Sequence, residues 1–428
     1  MKKYYFKQLD KNGIERLCQR PAINFTSVSN VVKEILSNVK QNGDNALKNY
    51  TKKFDGAELE NLLVKKEEVD NAVARISPEI KKSFEVAVAN IEKFHRSQIR
   101  ETELIETTKG VTCFRETRAI EKVGLYIPGG TAPLPSTVLM LGIPAKIAGC
   151  KEVILCTPPQ KDGSVPDIIL YTAQLCGITK IFKVGGAQAV AAMAYGTESI
   201  PKVYKIFGPG NQYVTAAKML VSIEPDGVAI DMPAGPSEVL VVADKEARAD
   251  FVASDLLSQA EHGVDSQAVL VCNDEQKTDE ILIEVEKQLN KLSRKEIAKQ
   301  SLENSFALIV ENIKEAIEFS NAYAPEHLIL NIADADLRLK EIINAGSVFI
   351  GQYSCESAGD YASGTNHTLP TYGYARMYSG VSVDSFVKQI TFQKLSKEGV
   401  KNLGPIVSLM AGVEGLDGHR RAVEIRGK

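Results

Sequence analysis

The feature that most constrains the fold of this chain is a long alternation of short, apolar, β-rich runs with helical runs, which begins at residue 123. The first series of predicted strands comprises Val123–Ile127, Glu152–Thr157, Lys180–Val184, Val203–Phe207 and Gly227–Ile230. Helices are predicted between them, near 136–149, 166–176, 187–196 and 211–222. An alternation of this kind indicates βαβ units and a largely parallel sheet.

A second series of the same kind follows. Its predicted strands are Glu238–Val242, Ala268–Cys272, Ala307–Val310 and Ser347–Ile350. Its predicted helices lie near 250–262, 275–291, 313–322 and 335–344. Because 428 residues are too many for one core, we expect two α/β halves joined near residue 238.

The two ends of the chain do not share this alternation. Residues 1 to about 26 read as a short polar leader that ends near Pro21, and residues from there to about 107 have a helical pattern. Val31–Val39 and Ala72–Phe94 are the clearest helices, and His95 is expected to be exposed at the end of the second one. The last 45 or so residues are predicted to form a tail subdomain.

Charge and cysteine usage exclude several classes of protein. A net charge of −3 without a basic block argues against nucleic acid as the main partner. No stretch of about 20 residues is free of charge, so no membrane-spanning helix is expected. The basic start Met1–Lys7 lacks the apolar segment of a signal peptide, and the 7 scattered cysteines suit a reducing compartment. A cytoplasmic protein is therefore expected.

Histidine is scarce, and four of the 5 histidines lie in polar segments marked by Gly or Pro: His262, His327, His367 and His419. Imidazole is the usual metal ligand and the usual general base near neutral pH. Each of the four has a carboxylate or carboxamide close by in sequence. This is the composition that a metal site with an acid/base pair requires.

Gln259 and His262 lie three residues apart on a predicted helix that Asp250 could cap and Gly263 could end. They project from nearly the same side, and a helix C-terminus favours a bound cation. Asp360 and His419 would complete an N2O2 set suited to zinc, although manganese prefers similar donors. The alternative is that Gln259 and His262 only form a polar helix end. Spacing along the chain does not show whether the four side chains come together in the fold.

Glu326 and His327 follow Pro325 and precede an apolar run. A pair of this kind could divide the work of catalysis, with one side chain activating water and the other moving a substrate proton. The alternative is two solvated polar residues beside a strand. Cys113 and Cys150 raise a rival mechanism through a thiol adduct, but free cysteine is usually a small buried apolar residue.

Three Gly-rich turns follow predicted strands: Pro128-Gly129-Gly130, Gly185-Gly186-Ala187-Gln188 and Gly208-Pro209-Gly210-Asn211. Ligands of doubly wound sheets bind at such turns. None of the three matches G-x-G-x-x-G with an acidic residue about 20 positions later, and Tyr213 stands where the third Gly belongs. These turns support a nucleotide only weakly, and tight βα turns are the alternative.

Several long segments resemble one known family, histidinol dehydrogenase, in the order in which that family has them. They are VGLYIPGG (123–130), VGGAQA (184–189), KIFGPGN (205–211), DMPAGPSE (231–238), SDLLSQAEHG (254–263), PEHL (325–328) and SAGDYASGTNH (357–367). The resemblance covers essentially the whole chain.

The resemblance implies an α/β fold with two incomplete Rossmann-like, doubly wound domains, small N-terminal and C-terminal subdomains, and a domain-swapped homodimer. The implied divisions are residues 1–26 for the leader, 27–125 with 239–381 for the first domain, 126–238 for the second domain, and 382–428 for a tail that reaches the partner subunit.

The resemblance also implies a function. It is the NAD-linked, zinc-dependent oxidation of L-histidinol to L-histidinaldehyde and then L-histidine, the last step of histidine biosynthesis, with two NAD per product and one zinc per subunit.

The implied zinc ligands, which would also contact the substrate, are Gln259, His262, Asp360 and His419. The implied acid/base pair is Glu326 and His327, of which His327 also contacts substrate. Further substrate contacts are Ser237, His367 and Glu414, and NAD contacts are Tyr126, Gln188 and Asn211. Glu414 and His419 would act in the partner's site.

Three alternatives remain at this point. A related dehydrogenase could act on another small alcohol, although His367 and Glu414 favour an imidazole substrate. A non-catalytic metal- or nucleotide-binding protein would be expected to have lost Glu326 or His327. A zinc hydrolase would leave the second α/β half unexplained. Whether Asp255 or Glu261 supports the metal ligands is also open.

Overall fold

The computed structural model describes residues 1–20, 25–129, 133–233 and 235–428. Pro21, Gly130 and Ala234, which belong to the sequence patterns above, lie outside these residues.

The elements are numbered in chain order. The strands are β1 Lys2–Tyr5, β2 Ile105–Thr108, β3 Val111–Ala119, β4 Lys122–Tyr126, β5 Glu152–Thr157, β6 Lys180–Lys183, β7 Lys205–Phe207, β8 Ala229–Ile230, β9 Glu238–Ala243, β10 Gln267–Cys272, β11 Phe306–Ile309, β12 His327–Asn331, β13 Ser347–Ile350 and β14 Val387–Leu395. The α-helices are α1 Lys11–Cys18, α2 Phe25–Asp55, α3 Lys66–Arg75, α4 Pro78–Arg96, α5 Pro135–Ala148, α6 Asp167–Leu175, α7 Gly186–Tyr195, α8 Gln212–Ser222, α9 Ala249–Ala260, α10 Glu275–Leu289, α11 Lys295–Glu303, α12 Ile313–Tyr323, α13 Glu356–Tyr361, α14 Lys397–Val413 and α15 Asp417–Arg426.

The first α/β half contains a five-stranded parallel sheet in the order β6-β5-β4-β7-β8. The chain enters at the central strand β4, winds outward through β5 and β6, and returns to the other side for β7 and β8. This is the doubly wound order, which leaves a crevice where β4 and β7 separate. The predicted parallel sheet is confirmed, and the five predicted strands agree with the observed ones to within two residues.

The second half repeats the same winding in a six-stranded parallel sheet, in the order β1-β11-β10-β9-β12-β13. Here β9 is the central strand, followed outward by β10 and β11 on one side and by β12 and β13 on the other. β12 was not among the predicted strands, because only its three central apolar residues stood out in the sequence. Residues 335–344, predicted as an α-helix, instead contain the 3-10 helix Ala335–Glu341.

The N-terminal residues are not a separate polar leader in the structure. β1 pairs in parallel with β11 at the edge of the six-stranded sheet, and Tyr4 packs edge-on against Phe306 with ring centroids 5.9 Å apart. An edge strand has one neighbouring strand and a solvent-exposed side, so it does not need the apolar run that reveals a central strand.

The helices before residue 100 cover the five-stranded sheet. α2 packs against α7 and α8, α3 against α6, and α4 against α5. Val32 and Leu36 of α2 share one buried cluster with Val190, and Ile91 of α4 shares another with Leu139. The resemblance implies that residues 27–125 belong with residues 239–381, and the helices of this range make these packing contacts with the half that begins at β4. An apolar helical face shows that something covers it, but not which sheet does.

His95 is fully buried in the last turn of α4, so the expectation that it is exposed was wrong. Its Nδ1 lies 2.9 Å from the Ile91 carbonyl oxygen, and its Nε2 lies 3.4 Å from the Asn366 amide nitrogen. Burial lowers the pKa of His95. The distant segment around Asn366 covers the helix end, and this long-range contact could not be inferred from the local helical pattern.

The C-terminal residues leave the α/β pattern. β14 pairs along its length with β3, which pairs with β2, and the three strands form a separate antiparallel sheet. α14 and α15 follow and pack against each other. They expose large apolar side chains, among them Leu409, Met410 and Val413. Within the described ranges, no helix combines the length and the apolar character that crossing a bilayer requires.

Candidate active site

The candidate acid/base and metal residues meet at the amino ends of β9 and β12. Glu326 immediately precedes β12 and His327 is its first residue. Gln259 lies in the last turn of α9, which follows β9 and runs back to this edge, and His262 lies just beyond it. Asp360 comes from the short helix α13. Chain segments far apart in sequence therefore meet at one edge of the six-stranded sheet.

The predicted boundaries of the helix that carries Gln259 need correction. Its N-cap is Arg248, without a side-chain cap, and Asp250 lies in its first turn, where it pairs with Arg248. The helix ends at Ala260 with Glu261 as C-cap, not at Gly263. An acidic residue in the first turn stabilises the helix through its dipole and not by capping.

The candidate acid/base pair is held by the backbone of one residue, Glu238. The Glu238 N–H donates to Glu326 Oε2 at 2.9 Å, and the Glu238 carbonyl oxygen lies 3.3 Å from His327 Nδ1. Since a carbonyl oxygen only accepts, Nδ1 carries a hydrogen, and Nε2 is the ring nitrogen that can exchange a proton. Glu326 and His327 are 5% and 4% exposed, so the alternative of two solvated polar residues was wrong.

Glu238 is itself clamped by Arg20, a residue that the sequence analysis did not single out. Arg20 Nε and Nη2 donate to the two carboxylate oxygens of Glu238 at 2.7 and 2.6 Å. The guanidinium lies 3.5 Å from the ring centroid of Tyr323, and both charged side chains are almost fully buried. The N-terminal segment thus fixes the strand end on which Glu326 and His327 depend.

Glu356 is the main residue of the site that sequence reasoning missed. It is 1% exposed, and its Oε1 lies 3.7 Å from His327 Nδ1. Neither of its carboxylate oxygens has a hydrogen-bond partner within the described part of the chain. Glu356 lies four residues before Asp360, one helical turn away, and this spacing was the signal that could have identified it.

Buried carboxylates dominate the electrostatics. Burial raises the pKa of Glu326 to about 8 and that of Glu356 to about 8. For His327, burial acts to lower the pKa, but the carboxylates of Glu356, Glu326 and Asp360 outweigh burial and raise that pKa well above its ordinary value. A site with several buried acids and one basic side chain favours an added positive charge.

The donor atoms fit a divalent cation. Ligand atoms of His262, Glu356 and Asp360 all lie within 4.8 Å of one another. Among the described residues, Asp360 Oδ1 and both amide atoms of the fully buried Gln259 lack hydrogen-bond partners. Leaving such groups unpaired costs about 1–3 kcal/mol each, so they are arranged for a ligand. Nitrogen and oxygen donors together suit zinc and related cations.

Glu414 and His419 are not in this cluster within one chain. Glu414 is the C-cap of α14 and His419 lies in α15, and both are exposed. The compact ligand group in the described residues consists of His262, Glu356 and Asp360 without His419.

The other candidate substrate residues flank the cluster. Ser237 immediately precedes Glu238 at the start of β9. His367 Nδ1 lies 2.8 Å from the Asp360 carbonyl oxygen, and His367 Nε2 lies 3.2 Å from Thr137 Oγ1. Thr137 belongs to the five-stranded half, so His367 joins the acid/base site to that half.

Asp255 and Glu261 are the two acids that could support the metal ligands, and of these Asp255 is the buried one. It is 6% exposed, one helical turn before Gln259, and close enough to Glu356 to contribute to raising that residue's pKa. Burial raises the pKa of Asp255 itself to about 7. Glu261 is the helix C-cap and is partly exposed.

The three candidate NAD contacts line one cavity of about 790 Å³. Tyr126 ends β4, Gln188 lies in the first turn of α7, and Asn211 caps α8 by accepting from the Tyr213 and Val214 N–H groups. The Gly186 N–H donates to the Tyr126 hydroxyl at 3.1 Å. The cavity lies at the carboxyl ends of the strands, where doubly wound sheets bind ligands.

A buried ion pair supports the third Gly-rich turn. Lys218 pairs with Asp231, and both are almost fully buried. Lys218 Nζ donates to the Gly208 carbonyl oxygen at 2.9 Å, and the Gly208 N–H donates to Asp231 Oδ2 at 2.8 Å. Gly208 has a φ of +125°, and a Cβ there would collide with the Tyr126 carbonyl oxygen. The glycine allows this turn to approach β4 closely.

The two cysteines considered for thiol chemistry do not lie in either site. Burial raises the pKa of Cys150 to about 12, and its sulfur lies 3.8 Å from the Phe386 carbonyl oxygen. Cys113 lies on β3, opposite Gln393 of β14. A high pKa disfavours the thiolate that a covalent mechanism needs.

Comparisons with known proteins agree from end to end. A family model described as histidinol dehydrogenase matches residues 18–427. A histidinol dehydrogenase of Bacteroides fragilis is 56% identical over 420 residues, which are 98% of this chain and 98% of that relative. The chloroplastic histidinol dehydrogenase of Arabidopsis thaliana is 54% identical over 427 residues, 100% of this chain and 91% of that relative. A crystal structure of histidinol dehydrogenase from Elizabethkingia anophelis has a TM-score of 0.96 and 54% identity, and the match covers 100% of this chain and 98% of that chain.

Proposed function

The chain belongs to the histidinol dehydrogenase family of oxidoreductases, and from that premise we propose that it oxidises L-histidinol through L-histidinaldehyde to L-histidine, with two NAD per product and zinc at the acid/base site. This is the last step of histidine biosynthesis. The observation that carries the proposal is the buried Glu326–His327 pair, held by the backbone of Glu238 beside a cluster of unpaired nitrogen and oxygen donors.

Gln259, His262 and Asp360 would hold the zinc, with His419 of the partner subunit as the fourth ligand. Zinc, when bound, supplies a positive charge that orients the imidazole and amine of histidinol and offsets the buried carboxylates. Ser237 and His367 would contact the substrate from the same chain, and Glu414 of the partner subunit from the other chain.

In the first oxidation, His327 Nε2 takes the proton of the substrate hydroxyl. Nε2 is suited to this role because Nδ1 is occupied at the Glu238 carbonyl and, within the described chain, Nε2 has no hydrogen-bond partner. Tyr126, Gln188 and Asn211 would hold NAD in the cavity that they line, where it would supply the hydride acceptor for each oxidation.

In the second oxidation, Glu326 deprotonates a water that attacks the aldehyde carbon. Its pKa of about 8 makes it a stronger base than an ordinary carboxylate while keeping it close to the working pH. His327 then takes the proton of the resulting hydrate as the second hydride leaves. Retaining the aldehyde between the two steps prevents its loss to solvent.

The proposal of a shared dimeric site is tested by mixing two inactive proteins. His327→Asn lacks the base of its own site, and His419→Asn lacks the ligand that it would donate to its partner. Subunit exchange between them should restore part of the activity, because one site of each mixed dimer would have every residue. No recovery after proven exchange would mean that each site is built within one chain.

The proposed reaction is tested by its stoichiometry. Zinc-loaded protein is incubated with L-histidinol and excess NAD, and NADH absorbance is followed to completion. Two NADH per histidinol, with histidine as product and loss of activity on chelation, are expected. One NADH with released aldehyde would contradict the role given to Glu326, and no NADH from folded, metal-loaded protein would contradict histidinol as substrate.

A further inference from the structure

Asp55 has no role in the reaction proposed above, yet it lines the cofactor cavity. It is the last residue of α2, and it lies in the cavity wall with the apolar side chains of Val31, Ile35 and Phe54. Its Oδ2 is buried and has no hydrogen-bond partner in the described part of the chain. A carboxylate oxygen in this setting has lost water without gaining a donor.

The surroundings of Asp55 favour the binding of a ligand that has hydroxyl donors. Burial alone raises the pKa of Asp55 to about 6, because the charged carboxylate is poorly solvated beside apolar side chains. Hydrogen bonds from a bound ligand would replace the lost water. The cavity therefore has one acidic acceptor that the protein itself leaves unused.

The position of Asp55 corresponds to a defined part of a dinucleotide. In doubly wound sheets an acidic residue near the end of the second strand of the winding binds the hydroxyls of the adenosine ribose. Here that strand is β5, and the loop after it contains one acid, Asp162. The Asp162 carboxylate accepts from the Ser164 N–H and hydroxyl, and Asp162 is not among the described residues that line the cavity.

Asp55 reaches the same place from a different element. Pro158, Gln160 and Lys161 line the cavity together with Asp55. The neighbouring Gly56 packs against this segment, since a Cβ built there would lie 3.9 Å from Lys161 Cγ. α2 thus supplies, from outside the wound sheet, a carboxylate to the cavity wall beside the end of β5.

We propose that Asp55 accepts hydrogen bonds from the 2′- and 3′-hydroxyls of the adenosine ribose and thereby selects NAD over NADP. The inference rests on the proposed NAD-dependent function. A 2′-phosphate would bring negative charge against the carboxylate and remove one of the hydroxyl donors. Lys161, exposed at the same end of the cavity, becomes available to a 2′-phosphate once the acidic charge is gone.

The test measures binding by titration calorimetry of the full-length protein with NAD and with NADP, independently of turnover. Wild-type protein should bind NAD at least ~100-fold more tightly than NADP, since NAD gains charged hydrogen bonds to Asp55 and the 2′-phosphate of NADP meets like-charge repulsion. Asp55→Asn should weaken NAD binding about 10-fold and tighten NADP binding, because it loses the charge and keeps the shape. Glu58→Gln is the matched control, since it removes an exposed carboxylate of the same segment that lies outside the cavity wall.

A double substitution shows whether a change in NADP binding arises in the cavity or from a change in folding. Lys161→Ala, added to Asp55→Asn, should abolish the gain in NADP binding. An unchanged NAD-to-NADP ratio in folded Asp55→Asn would overturn the role of Asp55 while leaving the proposed dehydrogenase function intact. Wild-type protein that binds neither nucleotide would overturn the proposed function, and the inference with it.

Discussion

Single contacts at the residue scale decide how the acid/base pair is held. Glu326 and His327 both contact the backbone of Glu238, whose side chain is clamped by Arg20. Breaking a buried ion pair costs more than an exposed pair contributes, because the remaining charge stays buried. The N-terminal segment therefore helps to position the proposed acid/base pair.

Arg20→Lys should reveal this influence. Lysine keeps the charge but loses the two-pronged contact with Glu238 and the stacking on Tyr323. We expect the free energy of unfolding to fall by ~2 kcal/mol and kcat to fall more than KM rises. Urea unfolding and steady-state kinetics measure the two effects. Arg338→Lys, at a partly exposed pair with Asp334, is the control and should change stability by less than ~0.5 kcal/mol. Equal effects of the two substitutions would contradict the role given to Arg20.

Asp55 predicts a pH dependence of stability. Its pKa is raised in the folded chain from 3.8 to about 6, so folding is opposed increasingly as pH rises from 3.8 to about 6, and fully above that. Without NAD, Asp55→Asn should therefore be more stable than wild type at pH 7.5, by ~1 kcal/mol after allowance for partial exposure, and should lose this advantage near pH 4. Urea unfolding at the two pH values measures the difference. A difference that does not depend on pH would show that Asp55 is not desolvated.

At the element scale, the two parallel sheets share the same doubly wound strand order, but their candidate sites lie at opposite ends of the strands. In the five-stranded sheet the cavity lies beyond the carboxyl ends of the strands, at the Gly-rich turns. In the six-stranded sheet the acid/base pair lies at the amino ends of β9 and β12, because α9 returns its C-terminus to that edge. Thr137 of α5 and His367 connect the two sites.

Gly208→Ala should disturb the cavity through the third Gly-rich turn. An alanine at φ +125° is strained, and its Cβ would collide with the Tyr126 carbonyl oxygen. We expect a loss of ~1–3 kcal/mol in the free energy of unfolding and weaker NAD binding. Thermal unfolding and calorimetry measure these changes. Gly418→Ala, where the added methyl meets open space, is the control. NAD affinity that remains at the wild-type value would show that the turn does not shape the site.

At the scale of the whole molecule, metal removal tests the acidic cluster. Glu326, Glu356 and Asp360 lie around one basic side chain, His327. A cation bound far above its Kd stabilises the fold by about 4 kcal/mol, so treating zinc-loaded protein with a chelator should lower Tm by at least ~5 °C. Glu356→Gln, with one buried charge fewer, should make the metal-free protein more stable. Scanning calorimetry measures both, and an unchanged Tm after proven zinc loss would contradict a structural contribution of the metal.

Short sequence patterns predicted the elements whose residues reflect their own burial, wherever the rest of the chain lies. The apolar runs of central strands such as β5 and β9 are visible in the sequence because a buried strand needs them wherever it lies. The acid/base candidates Glu326 and His327 were also recognisable, since scarce histidines beside carboxylates mark possible chemistry. The edge strand β1 and the exposed strand β14 were missed, because strands with one neighbour or an exposed face need no such run.

The sequence by itself determined the α/β class, the positions of the central strands along the chain and the chemical types of the site residues, all of which follow from composition and periodicity within short segments. The tertiary structure alone decided that α2 covers the five-stranded sheet, that His95 is buried, and that Arg20, Glu356 and Asp55 belong to the two sites. The physical reason is that burial and charge pairing depend on which distant segments meet, and a local pattern records that a face is covered without recording what covers it.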